Sequence, residues 1–261
     1  MVGRTKSILK KIPGVVFLYR RIRSLILSTG HWRFDNGVRV YKRDFTTFQI
    51  DRFRALKAKK LNFHEPEEER LFQRILKDYH GKGAFLDVGA HVGYYSLLAR
   101  KLNPHIEIHA FNPDSKCIEM MKRTMRLNNI YDIHLHREAI SDRVGKCDIA
   151  PGDAAARITE DGKIEKTTID NFLRSMRSSI YLIKMDIQGE ESNALKGAQG
   201  SFPRIENILV GTHGEEMHNR CLHILTSNGY EIPFESASVE NQPDGIIFAT
   251  SQRLTRPCHE D

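Results

Sequence analysis

The stretch Ala84-Phe-Leu-Asp-Val-Gly-Ala-His-Val-Gly93 decides the fold. Ala84 to Val88 is a short apolar run of the length of a buried strand, ending on a β-branched residue. Gly89 and Gly93 then bracket a turn, and a helix is expected through Leu102. Strand, glycine turn and helix open an alternation that continues along the chain. A second strand is expected over Ile106–Phe111, then a helix from Ser115 to Leu127 and a third strand around Tyr131–His136. The Gly- and Asp-rich stretch 151–162 suits a loop or hairpin. The apolar run Ile180–Met185 ends at Asp186 and precedes a helix to Gly197. Ile208–Val210, a helix from Glu215 to Ser227, and a strand pair over 230–234 and 245–249 complete the pattern. Upstream, Pro66 with Glu67, Glu68 and Glu69 opens a helix whose apolar face is Leu71, Ile75, Leu76 and Tyr79, the acids suiting its N-terminal dipole. This alternation predicts an α/β fold, with a mostly parallel sheet covered by helices on both faces.

The surroundings of that body are electrostatically different from it. Residues 1–60 hold 16 Lys and Arg against 3 Asp and Glu, whereas residues 61–261 hold 24 against 30. A basic N-terminal extension, 1–60, is therefore expected before a mildly acidic domain, 61–261. Within the extension, Ile8, Ile12, Val15, Tyr19, Ile22 and Ile26 recur at helical spacing, broken near Pro13 and Gly14. Two readings stand: a helix packed on the body or a partner chain, or one that lies on an anionic membrane surface through residues 1–30. Asn36-Gly37 before Val38–Tyr41 predicts a hairpin with a two-residue turn. Cys117, Cys147, Cys221 and Cys258 form no C-x-x-C pair, which argues against a zinc ribbon or disulfide framework and suits a reducing, cytoplasmic setting. No apolar run is long enough to span a bilayer, and Arg20, Arg21 and Arg23 interrupt the early apolar stretch that a secretory signal would need.

Ligands of doubly wound sheets bind outside the carboxyl ends of the strands, which here carry Asp87, Asn112 and Asp186. The pattern Asp87-x-Gly89-x-x-x-Gly93 is neither G-x-G-x-x-G nor a P-loop, so dinucleotide and nucleoside-triphosphate readings lose their key residues. An acidic strand tip would repel a pyrophosphate and suit a cationic ligand such as S-adenosylmethionine; an Asp helix cap is the plainer alternative. His213 and His218 are five apart, not at the H-E-x-x-H spacing of zinc proteases. His134-x-His136 projects two rings from one face of a strand; with no third ligand evident nearby it reads as a surface pair, and no metal site is assigned.

Phe85-Leu-Asp-Val-Gly-Ala-His-Val-Gly-Tyr-Tyr-Ser96, with Ile183-Lys-Met-Asp-Ile-Gln-Gly-Glu-Glu191 later in the chain, resembles the FkbM family of S-adenosylmethionine-dependent methyltransferases. Ala110-Phe-Asn-Pro113, Ala139-Ile-Ser-Asp142, Thr167-Thr-Ile-Asp170 and Leu195-Lys-Gly-Ala198 follow in family order, and the resemblance covers about residues 66–250. It implies a class I methyltransferase fold, a Rossmann-like seven-stranded sheet with a reversed final strand, and O-methylation of a sugar-bearing or other small-molecule hydroxyl. It further implies that Asp87, Gly89, Ala90, His91, Gly93 and Tyr94 line the methionine end of the cofactor. Asn112 and Pro113 would face the ribose, and Ser141 with Asp142 the adenine. The chain departs from the family at Asn112 (usually Glu), His91 (usually Asn), Gln188 (usually acidic) and Gly211 (usually Glu).

Methyl transfer needs an aligned acceptor and removal of its hydroxyl proton. Asp186, Glu191 and His213 are the catalytic candidates, with His213 or Asp186 as base; a structural histidine and a helix-dipole Glu191 are the plainer alternatives. Two other functions remain open. RNA methylation is favoured by the basic extension but lacks an Asn-Pro-Pro-type or Cys motif after the fourth strand, so nucleic acid is not the expected partner. A non-catalytic binding protein on the same fold would account for the missing carboxylates. A homo-oligomer is compatible with either.

Overall fold

The computed structural model describes residues 29–77, 79–149, 158–160, 162–240, 242 and 244–251. The expected basic amphipathic helix and most of the 151–162 stretch lie outside them. The chain forms two compact units, one ending at His64 and the other beginning at Glu65.

In the first unit, β1 (His31–Arg33) pairs antiparallel with β2 (Arg39–Tyr41). The hairpin forms, but not with a two-residue turn. Gly37 N–H donates to Phe34 O and Phe34 N–H to Val38 O, both at 3.0 Å, and Gly37 has φ +83°. A three-residue loop with glycine in the left-handed position results, because Asn36 keeps φ negative and its side chain instead accepts from Val38 N–H at 2.9 Å. Helix α1 (Thr47–Ala58) starts at a reciprocal Thr46–Gln49 capping box. Its Phe53 meets the rings of Trp32, Phe34, Phe45 and His64, forming an aromatic core.

The second unit runs α2 (Pro66–Lys77), β3 (Ala84–Val88), α3 (Tyr94–Leu102), β4 (Glu107–Phe111), α4 (Ser115–Asn128) and β5 (His134–His136). Then come four short strands, β6 (Ala139–Ile140), β7 (Gly145–Ile149), β8 (Ile158–Glu160) and β9 (Ile164–Thr167). Helix α5 (Ile169–Leu173), β10 (Ile180–Met185), α6 (Glu191–Lys196), β11 (Ile205–Thr212), α7 (Glu215–Ser227), β12 (Tyr230–Ser236) and β13 (Gly245–Ser251) complete it. The main sheet has the order β12-β13-β11-β10-β3-β4-β5. All its pairings are parallel except those of β13, which runs antiparallel to both neighbours. This is the expected class I sheet with its reversed last strand. Its central strands are buried on both faces, as β3 and β10 show, so they read as continuous apolar runs. A second sheet, β6-β9-β7-β8, was not legible in the sequence.

Helix α2 buries a different face from the expected one. Glu68, Glu69, Phe72 and Leu76 are buried, whereas Leu71 and Ile75 are only half-buried. Glu69 accepts from the Tyr94 hydroxyl at 2.6 Å and from Gln73 Nε2 at 2.9 Å. Glu68 and Glu69 are thus interior residues rather than only complements to the helix dipole, whereas Glu67 stays at the surface.

Candidate functional site

Strand order reverses beside β3, which leads to β4 on one side and borders β10 on the other. Asp186 follows β10 at this switch point, where open α/β sheets bind ligands. The glycine turn closes the same end. Gly89 and Ala90 N–H both donate to Phe111 O at 3.0 Å, and Gly89, His91 and Gly93 have φ of +89°, +49° and +79°. A Cβ on Gly89 would lie 1.8 Å from the Asp186 carbonyl oxygen. The close approach that requires glycine here is therefore to the end of β10.

Asp87 is 1% exposed, and its Oδ2 accepts from Ser96 N–H at 3.0 Å and Ser96 Oγ at 2.5 Å. Burial pushes its carboxyl above the usual range, with Lys184 and Ser96 opposing. It fastens α3 to β3 from inside the protein. Tyr94 and Ala90 are likewise buried, whereas His91, Asn112 and Pro113 are half-buried. Asn112 Oδ1 accepts from Asp114 N–H at 3.0 Å. Ser141 is buried, with Oγ 3.2 Å from Glu190 Oε2 and 3.4 Å from Asp142 Oδ1.

The three catalytic candidates meet. His213, just past β11, places Nδ1 3.0 Å from Glu191 Oε1 and Nε2 3.6 Å from Asp186 Oδ1. A fourth member comes from the approach to β13: Asp244 Oδ1 lies 3.1 Å from His213 Nε2. Burial disfavours the imidazolium, but Asp244, Glu191 and Asp186 outweigh it and raise His213 to about 10. Glu191, fully buried, also accepts from Ile187 N–H (3.1 Å) and Gly189 N–H (3.0 Å to Oε2). At neutral pH His213 is a cation between carboxylates, so it cannot take a proton. Of the two residues considered as base, that sets His213 aside and leaves Asp186 as the candidate.

Sequence reasoning missed Glu65, Glu68, Lys184 and Asp244. Lys184 Nζ lies 3.3 Å from Asp186 Oδ2, 3.4 Å from Glu68 Oε1 and 4.6 Å from the centre of the Tyr95 ring. Burial works against this ammonium, but Glu68 and Asp186 more than compensate and hold it above the ordinary lysine range. Burial pushes Glu68 up to about 8 despite Lys184. Glu65 Oε2 accepts from the Tyr95 hydroxyl at 3.0 Å. A side chain begun at Gly211, where the family resemblance implies Glu, would start 3.7 Å from Glu68 Oε2, so α2 brings a carboxyl beside that position. The available signal was Lys184 itself: a lone cation inside an apolar strand requires buried anions.

S-adenosylmethionine carries an ammonium and a sulfonium, and this donor set suits them. Glu65, Asp186 and Asp244 bring carboxylate oxygens to within 4.8 Å of one another, and the buried Glu68 Oε1 makes no hydrogen bond, with Lys184 Nζ 3.4 Å away. The Asn112 carbonyl accepts from Asp114 N–H, and its amide N–H groups are of the type that donates to a hydroxyl oxygen.

No curated protein matches the chain. Among solved structures it is similar to a precorrin-6y C5,15-methyltransferase from Geobacter metallireducens GS-15, with 13% identity, 71% of this chain and 89% of that one covered, and a TM-score of 0.47. It is also similar to a magnesium protoporphyrin IX methyltransferase from Synechocystis PCC 6803 with bound SAM, with 10% identity, 79% and 85% covered, and a TM-score of 0.49. A family model, the methyltransferase FkbM domain, matches residues 87–232, which run from the buried Asp87 through the Asp186 switch point and into β12. That is more than half of the chain, and the protein belongs to the FkbM family of S-adenosylmethionine-dependent methyltransferases.

Proposed function

We propose that the protein methylates a hydroxyl oxygen of a sugar-bearing or other small-molecule acceptor, with Asp186 as general base. The observation that carries this reading is the position of Asp186. It is the half-buried carboxylate at the switch point, with Lys184 behind it and the His213 cation beside it. When bound, S-adenosylmethionine supplies a methyl carbon already activated by its sulfonium. The chain then has two tasks: to align the acceptor oxygen with that carbon, and to take up its proton. Asp186 Oδ1 accepts from Gln188 Nε2 at 3.0 Å and its Oδ2 faces Lys184 at 3.3 Å, which fixes the carboxylate plane. Glu191 and Asp244 hold His213 charged, and the imidazolium steadies Asp186 and any alkoxide character on the acceptor.

The test is transfer of labelled methyl from S-adenosylmethionine to a panel of glycosylated and hydroxylated small molecules. Asp186→Asn should lower kcat by about 10²–10⁴-fold while calorimetric affinity for S-adenosylhomocysteine stays within a few-fold. Equal turnover by that variant would remove Asp186 as base, and methylation of RNA alone would replace the acceptor class.

A further inference from the structure

The histidines of β5, which sequence reading leaves as an isolated surface pair, gain the missing partners from β4. The two strands are paired in parallel with His109 opposite His134 and Phe111 opposite His136. Alternation puts Glu107, His109 and Phe111 on one face of β4, and His134 and His136 on the same face of β5. Glu107, His109 and His134 each bring one ligand atom to within 4.8 Å of the others. The rings of His109 and His134 stack at 4.8 Å, and Phe172 from α5 stands edge-on to His109 at 5.2 Å. His109 Nε2 is 3.1 Å from Glu107 Oε1, and its Nδ1 is 2.9 Å from His136 Nε2. His136 itself stacks on Phe111 at 4.5 Å. Ser178 Oγ donates to the second Glu107 oxygen at 3.3 Å.

We propose that Glu107, His109 and His134 bind a divalent transition-metal ion of the zinc class, with His136 as the partner that orients His109. Two imidazoles and a carboxylate are the ligand set such ions prefer over calcium or magnesium, and three protein ligands leave open positions for water or a further ligand. Tetrahedral ligands about 2.1 Å from an ion stand about 3.4 Å apart. The set must therefore contract, which Glu107 and His134 can do because both are exposed. Metal-bound histidines characteristically give their second ring nitrogen to an acceptor. His136 Nε2, 2.9 Å from His109 Nδ1, is placed to be that acceptor. In the free protein His136 Nε2–H can donate to His109 Nδ1 while His109 Nε2–H donates to Glu107. With Nε2 on the metal, the single His109 proton sits on Nδ1 and donates to His136 Nε2, whose own proton moves to its Nδ1. No proton is gained or lost overall. The Asp186–Glu191–His213 group is a poorer competitor, because both ring nitrogens of its histidine already face carboxylates, Nδ1 that of Glu191 and Nε2 that of Asp244.

The test is zinc binding to the full-length protein by competition with a chromophoric chelator. One ion should bind, and His134→Ala and Glu107→Gln should each weaken it about tenfold or more. Both positions are exposed, and an unchanged melting curve in each variant confirms that the fold persists. His213→Gln should bind zinc as the unaltered protein does. Three results would each overturn the proposal: no zinc uptake by the unaltered protein, equal affinity in His134→Ala, or a site lost on His213→Gln while His134→Ala retains it.

Discussion

The α-carbon of Gly89 packs directly beneath the carbonyl oxygen of Asp186, so closely that a methyl group on Gly89 would stand 1.8 Å from it. The turn after β3 and the end of β10 are in this way a single piece of structure. Gly89→Ala should destabilise the protein by about 3 kcal/mol or more, since backbone rather than a flexible side chain must yield at φ +89°. Gly93→Ala is the comparison: its Cβ would meet Met121 Cγ at 3.2 Å, a chain that can turn aside, and about 1–2 kcal/mol of left-handed strain should remain. Urea unfolding of the two variants measures the difference, and equal losses would contradict the packing argument.

His213 makes stability depend on pH. Its folded value, about 10, stands above the unfolded value near 6.5, so its contribution is complete below about pH 6.5 and is lost as pH rises toward 10. Glu68, raised to about 8, acts in the same direction between about 4.5 and 8. Comparison with His213→Ala isolates the histidine. Between pH 6.5 and 10 the unaltered protein should lose stability more steeply than the variant in denaturant titrations, and parallel curves would refute the charged assignment.

Asn112→Asp retains the acceptor for Asp114 N–H and exchanges the amide N–H groups for a charged oxygen. If the residue faces the ribose diol, affinity for S-adenosylmethionine should improve by about 1 kcal/mol, or roughly fivefold. Calorimetry decides: unchanged or weaker binding would mean that the ribose lies elsewhere.

Residues 1–30 are proposed to attach the protein to an anionic lipid surface, on the strength of the basic excess in residues 1–60 and the apolar stripe from Ile8 to Ile26. Co-sedimentation with anionic liposomes should fall as the Debye length shrinks from about 10 Å at 0.1 M salt to about 3 Å at 1 M. Deleting residues 1–30 should leave the melting temperature unchanged. A truncated protein that melts much earlier, together with a full chain indifferent to liposomes, would make the segment a packing element.

The large sheet was legible because its central strands β3 and β10 are apolar on both faces and β3, β4, β10 and β11 each lead into a helix. The small sheet was not, since Lys146, Asp148 and Glu165 give β7 and β9 the composition of exposed loops. In the site, Asp186, Glu191 and His213 could be found from their places at strand and helix ends. The charge on His213 could not, because it depends on Asp244 and Glu191, which distant segments bring to it. Glu68 and Glu69 illustrate the same limit. As sequence they are acids at a helix start, and only the packing of α2 shows that Lys184 and Tyr94 receive them. His134 and His136 lacked a third ligand until strand pairing supplied His109.

The approach to β13 brings Asp244 to His213, and the same segment sends Gln242 back to the Glu68 backbone, a contact spanning 174 residues. Such a closure is costly in chain entropy and belongs late in folding. The central strands can therefore assemble while the cleft still has an incomplete complement of charge. Competence to hold the methyl donor should be acquired last, when the terminal strand pair docks, and it should be the first property lost if that edge of the sheet opens.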